Sequence, residues 1–325
     1  MKVDVSIIIV NYGSSQLVID CVDSIQKKVH GLNYEIIVVD NGSEDDSVKQ
    51  FNNKLNGKIR LIESPQNLGF GKANNLGAKY AEGEYLFLLN PDTLLINNAV
   101  RILHSFLQNN QKTGIAGGNL YTQQMDGAPS YSLRFDSLRD EWLRSTWTSI
   151  LSEKVRDKIQ FSVPVFSKSS MSHVFNGSGK CRKVAYIFGA DMMLSKKLFD
   201  SVGGFDPDFF MYGEEEELTR RITKIGYDIV NVPAAKIIHL ESATLKAADV
   251  FHEKSFMLRM NGTMTYFYKI YGSKGVRLFH RFRSRRYRRL VFWGKCRGKE
   301  TGSMIAMKQY ELFNQCFLAY PRKGK

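Results

Sequence analysis

Short apolar runs alternate with helix-like segments over the first hundred residues, and this alternation constrains the fold more than any other feature of the chain. Strands are predicted at Val5–Val10, Glu35–Asp40, Lys58–Glu63 and Tyr85–Asn90, most of them apolar nearly throughout. Strands that are apolar on both sides are typical of a sheet with both faces covered. The pattern therefore predicts an α/β fold, a mostly parallel, Rossmann-like sheet flanked by helices.

Apolar residues at helical spacing fill the gaps between these strands. Helices are predicted between the first two strands, around Ala73–Ala81, and over a segment that contains Ala99 and Leu103. From about residue 121 to residue 182 the periodicity fades, and we interpret this stretch as an irregular insertion. A helix near Glu214–Ile225 and strands at 228–232 and 236–240 follow, and the chain reads as helical from Asp249 onward.

Positive charge is concentrated near the carboxyl end. The net charge is +14, and residues 254–299 contain fourteen Lys or Arg and no Asp or Glu. The basic character thus belongs to a C-terminal helical extension. No apolar run approaches the roughly 20 residues of a membrane-spanning helix. The N-terminus lacks a signal-peptide pattern, and the four cysteines lie far apart without a C-x-x-C pair. A reduced, cytoplasmic setting is expected.

Polar residues follow three of the predicted strands. The first strand ends in Asn11–Tyr12, the second in Asp40–Ser43 and the fourth in Asn90–Thr93. Asp40–Ser43 could instead cap the next helix, and Asn90–Thr93 could be a simple turn. Polar ends on successive parallel strands nevertheless face one crevice, where ligands of such sheets bind. We therefore expect a binding site at this edge.

Two glycines precede the helix predicted around Ala73. Gly69 and Gly71 invite a comparison with the dinucleotide-binding fingerprint, but that motif follows the first strand and has a third glycine where this chain has Asn74. A tight turn is one interpretation. The other is that the glycines admit a nucleotide close to the backbone, with Asn67 and Asn74 hydrogen-bonding to it.

Four glutamates, Glu214–Glu217, open the helix predicted near Glu214–Ile225. The helix dipole favours acidic residues there, so a solvated acidic face is one interpretation. The other follows from Phe209, Phe210 and Tyr212, which place apolar surface beside the first carboxylates. Such surroundings raise a carboxyl pKa, which suits a general base at neutral pH.

His239 follows two isoleucines near the end of a predicted strand. Taken alone, it is most simply a core or turn histidine. Because Asp92 is expected in the same crevice, the two residues are also candidates for metal ligands, since carboxylate and imidazole both bind Mn²⁺ and similar ions.

The motifs together resemble a family 2 glycosyltransferase of the GT-A fold, in the rhamnosyltransferase-like branch of bacterial polysaccharide biosynthesis. The resemblance runs from about residue 3 to residue 242 and continues weakly to 272. The segments that carry it are 5–12, 38–43, 67–71, 89–93 and 203–217. It implies a GT-A domain at 1–245, with a nucleotide-binding half at 1–120 and an acceptor and catalytic half at 121–245, followed by the basic extension at 246–325.

The resemblance also implies roles for individual residues. The residues placed around a nucleotide-sugar are Asn11, Tyr12, Asp40, Asn41, Asn67, Gly69, Gly71, Asn74, Asn90 and Asp92. Asn90–Asp92 stands where the family has its D-x-D motif, with Asn in place of the first Asp. Asp92 and His239 would then hold a divalent metal, Mn²⁺ or Mg²⁺. Glu215 falls on the catalytic-base position, where many relatives have Asp, which leaves Glu214 as the alternative base.

These roles imply metal-dependent, inverting transfer from a UDP- or dTDP-linked sugar, with rhamnose as a candidate. The implied acceptor is a glycan or a lipid-linked glycan of an O-antigen or capsule pathway. On a helical wheel of 277–293, several apolar residues gather opposite Arg277, Arg281, Arg285 and Arg288. A basic amphipathic helix predicts peripheral attachment to the anionic inner face of the plasma membrane. A helix packed on the body with a solvated basic face is the alternative.

Two rival functions start from other features. The sequence pI near 9.5 and the mixture of arginines with aromatics suggest a nucleic-acid-binding protein. That hypothesis leaves the polar strand ends and the acidic helix start without a role, so no nucleic-acid partner is expected. A non-catalytic sugar-nucleotide binder of the same fold is the second rival. The simultaneous presence of Asp92, Glu215 and His239 argues against it.

Overall fold

The computed structural model describes residues 2–146, 173–240, 252–296 and 300–321. The strands within these ranges are β1 (Val5–Asn11), β2 (Tyr34–Asp40), β3 (Arg60–Glu63), β4 (Tyr85–Leu89), β5 (Thr93–Leu95), β6 (Thr113–Tyr121), β7 (Tyr131–Ser132), β8 (His173–Val174), β9 (Arg182–Val184), β10 (Tyr186–Ile187), β11 (Asp191–Ser195) and β12 (Asp228–His239). The helices are α1 (Ser15–Lys28), α2 (Ser47–Lys54), α3 (Phe70–Lys79), α4 (Ala99–Asn109), α5 (Leu138–Arg144), α6 (Lys196–Ser201), α7 (Glu214–Lys224), α8 (Glu253–Cys296) and α9 (Glu300–Ala319).

The main sheet has the strand order β3-β2-β1-β4-β11-β6-β12-β5, and β9 adds to β12. The first four strands in this order run parallel. β11 runs antiparallel to both of its neighbours, β4 and β6. β6 and β12 are parallel to each other, and β5 closes the edge antiparallel to β12. The carboxyl ends of β1, β2, β4, β6 and β12 therefore lie at one edge of the sheet.

Apolar side chains cover both faces of this sheet. Along β1, Ile7 and Ile9 belong to the core formed with α1, α2 and α4, whereas Ile8 belongs to the core formed with α3, α6 and α7. Along β4, Phe87 and Leu88 divide in the same way. This alternation between two cores explains why the strands are apolar nearly throughout, and it confirms the predicted α/β fold.

The four strands and three helices predicted in the first hundred residues are present, with ends that differ by a few residues. α2, β5 and β6 were not predicted. β6 contains Gly114, Gly117 and Gly118, which weaken any strand pattern in the sequence. A Cβ at Gly117 would come within 2.9 Å of the Asp191 carbonyl oxygen, so the close packing of β6 explains the glycine.

The two strands predicted at 228–232 and 236–240 are one strand, β12. Its register against β6 shifts between Asn231 and Lys236, which is the irregularity of a β-bulge. Of the predicted irregular insertion, the described part contains α5 and short strands, and residues 147–172 lie outside the described residues. The predicted helical character after 249 is confirmed for α8 and α9.

The chain forms two compact units. The described residues of the first are 2–135, 173–210 and 214–240, and those of the second are 136–146, 211–213, 252–296 and 300–321. The second unit has its own core, in which Phe279 stacks on Phe267 at 4.7 Å and contacts Phe313 edge-on at 5.5 Å. α8 is interrupted at Gly272, whose φ of +64° lies in the left-handed region that favours glycine.

A buried ion pair ties α5 to α8 within the second unit. Glu141, which is 2% exposed, accepts two hydrogen bonds from Arg283 at 2.6 and 2.8 Å. Burial alone would raise the pKa of Glu141, but the opposing charge of Arg283 and these hydrogen bonds hold that pKa below its ordinary value. One arginine of the basic extension is therefore held in a buried ion pair with α5 and is not part of a solvated basic face.

The predicted wheel for 277–293 differs from the helix in the structure. Phe279 is completely buried, whereas Leu278 is 40% and Phe292 is 55% exposed, so the apolar residues do not form one face. The reason is that the helix contributes Phe279 and Tyr287 to a core with α9. Among the described helices, none combines the length and hydropathy that a membrane span needs.

Candidate active site

The carboxyl ends of β1 and β2 lie side by side and share one hydrogen-bonded cluster. Asn11 and Asp40 are register partners and almost fully buried. The Asn11 amide donates to Asp40 Oδ1 at 2.8 Å and to the Ser43 hydroxyl at 3.0 Å, and that hydroxyl donates to Asp40 Oδ1 at 2.7 Å. The alternative that Ser43 caps the next helix is wrong, because Asp46 occupies the N-cap of α2.

A second cluster joins the loop after β2 to the start of α3. Asn41 accepts a hydrogen bond from the Leu68 N–H at 2.8 Å and donates to Asn67 Oδ1 at 3.1 Å. Asn67 Oδ1 also accepts the Gly69 N–H at 2.9 Å. Gly69 has a φ of +81°, which a residue with a side chain rarely adopts. These bonds fix the backbone of 67–69 next to the Asn11 and Asp40 cluster.

The remaining residues predicted around the nucleotide differ in accessibility. Tyr12 is 52% exposed, so its ring is open to contact with a planar group. Asn74 is 1% exposed, and its amide donates to the Phe70 carbonyl within α3 at 3.1 Å. Gly71 is buried at the first turn of α3. The structure thus places Asn74 inside the helix packing and Tyr12 at the surface.

The segment Asn90–Thr93 forms a turn at the carboxyl end of β4. The Thr93 hydroxyl donates to the Asn90 carbonyl at 2.7 Å, and the Asn90 N–H donates to the Ala190 carbonyl at 3.0 Å. Cys21 lies beneath this turn, with Sγ 3.6 Å from the Thr93 hydroxyl. Burial raises the pKa of the Cys21 thiol to about 12, so the thiol stays neutral below the turn. Asn90 is half-buried and Asp92 is 5% exposed.

Pairing between β5 and β12 brings Asp92 and His239 together. His239 is the register partner of Thr93, and the Leu240 N–H donates to the Asp92 carbonyl at 2.8 Å. As a result, His239 Nε2 lies 3.2 Å from Asp92 Oδ2. The predicted proximity of the two candidate metal ligands is therefore present in the structure.

These two side chains suit a divalent metal in their chemistry. A carboxylate oxygen and an imidazole nitrogen that face each other are a donor pair for Mn²⁺, and carboxylate alone also suits Mg²⁺. Among the described residues, no group of three or more His, Cys, Asp or Glu side chains forms a complete metal cage. A metal at this pair would therefore take its remaining ligands from a bound phosphate or from water, as such ions commonly do.

The four glutamates at the start of α7 differ in their surroundings. Glu217 accepts two bonds from the Arg221 Nε, at 2.8 and 2.9 Å, and a third from its Nη2 at 2.7 Å, so it serves the structure. Glu214 and Glu216 are 3% and 5% exposed, whereas Glu215 is half-buried. The solvated-face interpretation is thus wrong for three of the four residues.

Glu214 lies close to the loop that begins α3. A Cβ added at Gly71 would be 3.7 Å from the Glu214 Cβ and 3.0 Å from the Phe205 Cβ. The start of α7 and the start of α3 therefore meet around these residues. The predicted catalytic carboxylates and the predicted nucleotide loop share one region of the first unit.

A further buried carboxyl lies next to this region, on β11. Asp191 is fully buried opposite Leu89, and it accepts the Gly118 N–H at 2.5 Å. Burial raises the pKa of Asp191 well above its ordinary value. The sequence analysis missed this residue, because nothing in a run such as Asp191–Ser195 shows that its first side chain points into the core.

The sequence analysis also missed two polar residues that hold the loop before α7. Asn75 on α3 and Arg221 on α7 both bond to backbone atoms of the segment 202–205. The spacing of Glu217 and Arg221, four residues apart on one helix, was a signal for the second of these. No comparable signal exists for Asn75, whose partner is 130 residues away in the chain.

The chain belongs to the family described as glycosyl transferase family 2, whose profile matches residues 6–173, just over half of the chain. A second profile, described as the N-terminal domain of galactosyltransferase, matches residues 169–244. The first match contains the polar strand ends and the second contains α7 and His239. The two matches together cover every residue of the candidate site.

Particular relatives include two rhamnosyltransferases. The chain is 24% identical to rhamnosyltransferase WbbL of Escherichia coli over 274 residues, 81% of this chain and 92% of the relative. It is 24% identical to an N-acetylglucosaminyl-diphospho-decaprenol L-rhamnosyltransferase of Mycobacterium tuberculosis over 228 residues, 63% of this chain and 66% of the relative. It spans 41% of the length of glycosyltransferase GlyG of Streptococcus pneumoniae.

A solved structure shares the fold. The crystal structure of GalNAc-T7 with UDP, GalNAc and Mn²⁺ superposes with a TM-score of 0.53 at 14% identity, and covers 73% of this chain and 43% of that chain. The likeness supports the GT-A fold of this chain.

Proposed function

We propose that the protein is a metal-dependent, inverting glycosyltransferase that moves a sugar from a nucleotide diphosphate donor to a glycan or lipid-linked acceptor. The observation that carries this proposal is the Asp92 and His239 pair, 3.2 Å apart at the same sheet edge as Asn11 and Asp40. Such a transfer needs two metal ligands beside residues that bind the nucleotide, and a carboxylate that acts as base. The Asp92 and His239 pair, the cluster of Asn11 and Asp40, and the glutamates at the start of α7 would fill these roles. The rival of a non-catalytic binder predicts no turnover with any donor.

The donor would lie along the carboxyl edge of the sheet. Asn11 and Asp40 would hold the base and ribose with Asn67, and Tyr12 would stack on the base through its exposed ring. Asn41, Gly69 and Gly71 would shape the loop around the nucleotide. Asn74 would support that loop from inside α3, since its side chain is buried.

Asp92 and His239 would hold the Mn²⁺ or Mg²⁺ ion next to the diphosphate. When bound, the metal supplies positive charge that stabilises the departing nucleoside diphosphate. The half-buried carboxylate of Glu215 accepts the proton of the acceptor hydroxyl as its oxygen bonds to the anomeric carbon. The bond from that carbon to the diphosphate oxygen breaks, and its electron pair leaves with the diphosphate. A single displacement from the opposite face inverts the configuration.

Holding donor and acceptor in line is itself a large part of the acceleration, at most about 7–11 kcal/mol. The rhamnosyltransferase relatives support rhamnose as the sugar, and the decaprenol-linked acceptor in the name of one of them supports a lipid-linked acceptor. A UDP or dTDP carrier and a place in O-antigen or capsule assembly in the cytoplasm stay predictions from the sequence resemblance.

The C-terminal extension supports attachment to an anionic membrane surface. Exposed basic residues recur every three or four positions along one side of α8, at Lys274, Arg277, Arg281, Arg285 and Arg288, and Lys295 follows two helical turns later. We call this set the basic stripe. Phe292 lies in the same row and is 55% exposed. Each basic residue near anionic lipid contributes about 1 kcal/mol of binding free energy. The stripe would bring the enzyme to a lipid-linked acceptor on the inner face of the plasma membrane.

A donor screen tests the enzymatic proposal. Thermal shift with UDP- and dTDP-linked sugars in the presence of Mn²⁺ is expected to single out one donor, since a ligand at a hundredfold excess over its Kd stabilises by roughly 2.7 kcal/mol. That donor is then expected to release its nucleoside diphosphate when an acceptor glycan is added. Failure of every nucleotide sugar to raise the Tm would contradict the proposal.

A further inference from the structure

The segment 202–210 lies between α3, which carries the proposed donor loop, and α7, which carries the proposed base. We call it the bridging segment. Phe205, at its centre, is completely buried and contacts the rings of Phe70 and Phe199 edge-on, both at 5.9 Å. Its Cβ is 3.0 Å from where a Gly71 Cβ would lie. The bridging segment is therefore a packed part of the first unit.

α3 holds the bridging segment at two points. Asn75 donates its amide to the Phe205 carbonyl at 2.8 Å and accepts the Phe205 N–H at 2.9 Å. A side-chain amide paired with both polar groups of one peptide residue fixes that residue in position and orientation. Farther along, the Phe70 N–H donates to the Phe210 carbonyl at 2.9 Å, and Gly69 lies so near this carbonyl that an added Cβ would collide with it.

α7 holds the same segment from its other side. The Arg221 guanidinium donates to the Gly204 carbonyl at 2.7 Å and to the Val202 carbonyl. Its orientation is set by the bidentate contact with Glu217, one helical turn closer to the start of α7. The bridging segment is thus bonded to the donor-loop helix and to the base helix at neighbouring residues, Gly204 and Phe205.

We propose that Asn75 is a positioning residue, which sets the place of the Glu214 and Glu215 carboxylates relative to the donor loop through the backbone of Phe205. Both hydrogen bonds described for the Asn75 side chain go to the backbone of Phe205. Its effect passes through Phe205 and Gly204 to Arg221 and α7. The inference rests on the proposed function and adds a geometric requirement to it.

The consequence for the reaction concerns the acceptor more than the donor. The donor loop has bonds of its own through Asn41 and Asn67, which do not involve Asn75, so we expect these bonds to persist when Asn75 is changed. A shift of the base by about 1 Å can lower the rate about a hundredfold while binding persists. Water is small and mobile, so donor hydrolysis depends less on the position of the base than transfer to an acceptor hydroxyl does.

The test compares Asn75→Ala with Ser6→Ala. Ser6 is also buried, accepts the Gly83 N–H at 2.8 Å and donates to Glu35 at 2.6 Å, but it lies at the amino end of β1, away from the site. Both variants lose hydrogen bonds to buried groups, so both are expected to lower Tm. Nucleoside diphosphate release is measured with and without acceptor, below the Tm of both variants.

For Asn75→Ala we expect a kcat for transfer that falls at least tenfold, a donor Kd within about threefold of wild type, and a hydrolysis-to-transfer ratio that rises at least fivefold. Ser6→Ala keeps the wild-type ratio. Asn75→Asp retains the acceptor for the Phe205 N–H and is expected to fall between wild type and Asn75→Ala. It replaces Asn75→Ala if that variant does not fold. A hydrolysis-to-transfer ratio that stays at the wild-type value in Asn75→Ala, or in Asn75→Asp where it replaces Asn75→Ala, overturns the inference.

Hydrogen exchange separates this inference from the proposed function. Asn75→Ala is expected to speed amide exchange at least fivefold in peptides that cover 203–218, whereas Ser6→Ala leaves these peptides as in wild type. This measurement needs no substrate. If wild type transfers no sugar but exchange rises as expected, the proposed reaction is wrong and the structural coupling stands. If amide exchange at 203–218 in Asn75→Ala is no faster than in Ser6→Ala, the structural coupling between Asn75 and the start of α7 is overturned.

Discussion

His239 Nε2 lies 3.2 Å from Asp92 Oδ2, and the antiparallel pairing of β5 with β12 produces this approach. The loop at the end of β4 and the end of β12 are far apart in the sequence, yet the ladder makes His239 the partner of Thr93, next to Asp92. The distance between the two side chains therefore depends on strand register.

We predict that Asp92→Ala and His239→Ala both weaken Mn²⁺ binding, with Asp92→Ala the larger effect because it removes the negative charge. For His239→Ala the Mn²⁺ concentration at half-maximal donor binding is expected to rise at least about 10–100-fold, since removing only the hydrogen-bonding partner of a metal ligand already costs that much. Isothermal titration of the nucleotide at a series of Mn²⁺ concentrations measures this.

Asp200→Ala is the matched control for these variants, because Asp200 is an exposed carboxylate on α6 that pairs with Lys196. Asp200→Ala is expected to show the same Mn²⁺ dependence of nucleotide binding as wild type. Metal titrations of His239→Ala that coincide with wild type would assign the histidine a structural role, and the same result for Asp92→Ala would remove the metal site from the proposal.

We predict that Glu215→Gln retains donor affinity and loses transfer. The amide is nearly isosteric with the carboxylate but cannot accept the acceptor proton, a loss that typically costs about 10²–10⁴ in rate. Donor affinity by thermal shift and turnover by nucleoside diphosphate release are measured on the same preparation. Glu214→Gln decides the alternative: if it loses transfer while Glu215→Gln retains it, Glu214 is the base.

The sequence predicted which polar residues lie at the carboxyl edge of the sheet, because the signals for them are local. Asn11, Asp40 and Asp92 each follow a strand whose apolar run is visible without any partner, and parallel strands place their ends together. His239 and Asp92 were paired as candidates on chemistry alone. Their distance follows from β5, a three-residue strand that no local pattern indicates.

The residues that hold the site in place were harder to predict. Asn75 and Phe205 meet through tertiary packing between two elements with no shared sequence pattern. The wheel for 277–293 failed for a related reason, since a single helix does not show which of its sides another helix will cover. Tyr287 and Phe279 became core residues because α9 packs against them.

We predict that reversing three charges of the basic stripe, in the combined variant Arg277→Glu, Arg281→Glu and Arg285→Glu, releases the protein from anionic liposomes. Three glutamates, which carry the same sign of charge as the lipid, then replace three arginines. Each of those arginines contributes about 1 kcal/mol of binding free energy. Point variants are preferable to truncation, because the extension contains the core residues Phe279 and Phe313. Sedimentation with vesicles of phosphatidylglycerol and phosphatidylcholine measures binding.

The matched control reverses three exposed lysines outside the extension, Lys27, Lys28 and Lys54, with the same change in net charge. It is expected to keep most of the binding. Salt is expected to release the wild-type protein, since screening shortens from about 8 Å at physiological ionic strength to about 3 Å at 1 M. Equal loss in both triple variants would show that total charge, and not the stripe, governs the attachment.

We predict that the Glu141 and Arg283 pair makes the stability of the second unit sensitive to acid. Arg283 holds the pKa of Glu141 below its unfolded value, so the pair stabilises the folded state above the ordinary glutamate pKa of about 4.3. The stabilisation is lost as the pH falls through the folded pKa, because protonation removes the charge that Arg283 needs. Glu141→Gln is therefore expected to cost about 3–5 kcal/mol at pH 7.

Urea unfolding of wild type and Glu141→Gln between pH 7 and pH 3 measures this, and the difference in unfolding free energy is expected to shrink below about pH 4. Replacing both partners, as Glu141→Leu with Arg283→Met, is expected to recover most of the loss, because no charge is left buried without a partner. Asp200→Asn, which breaks an exposed pair with Lys196, is expected to cost at most about 1 kcal/mol. A difference between wild type and Glu141→Gln that stays constant down to pH 3 would mean that the carboxylate charge of Glu141 contributes nothing to the stability of this unit.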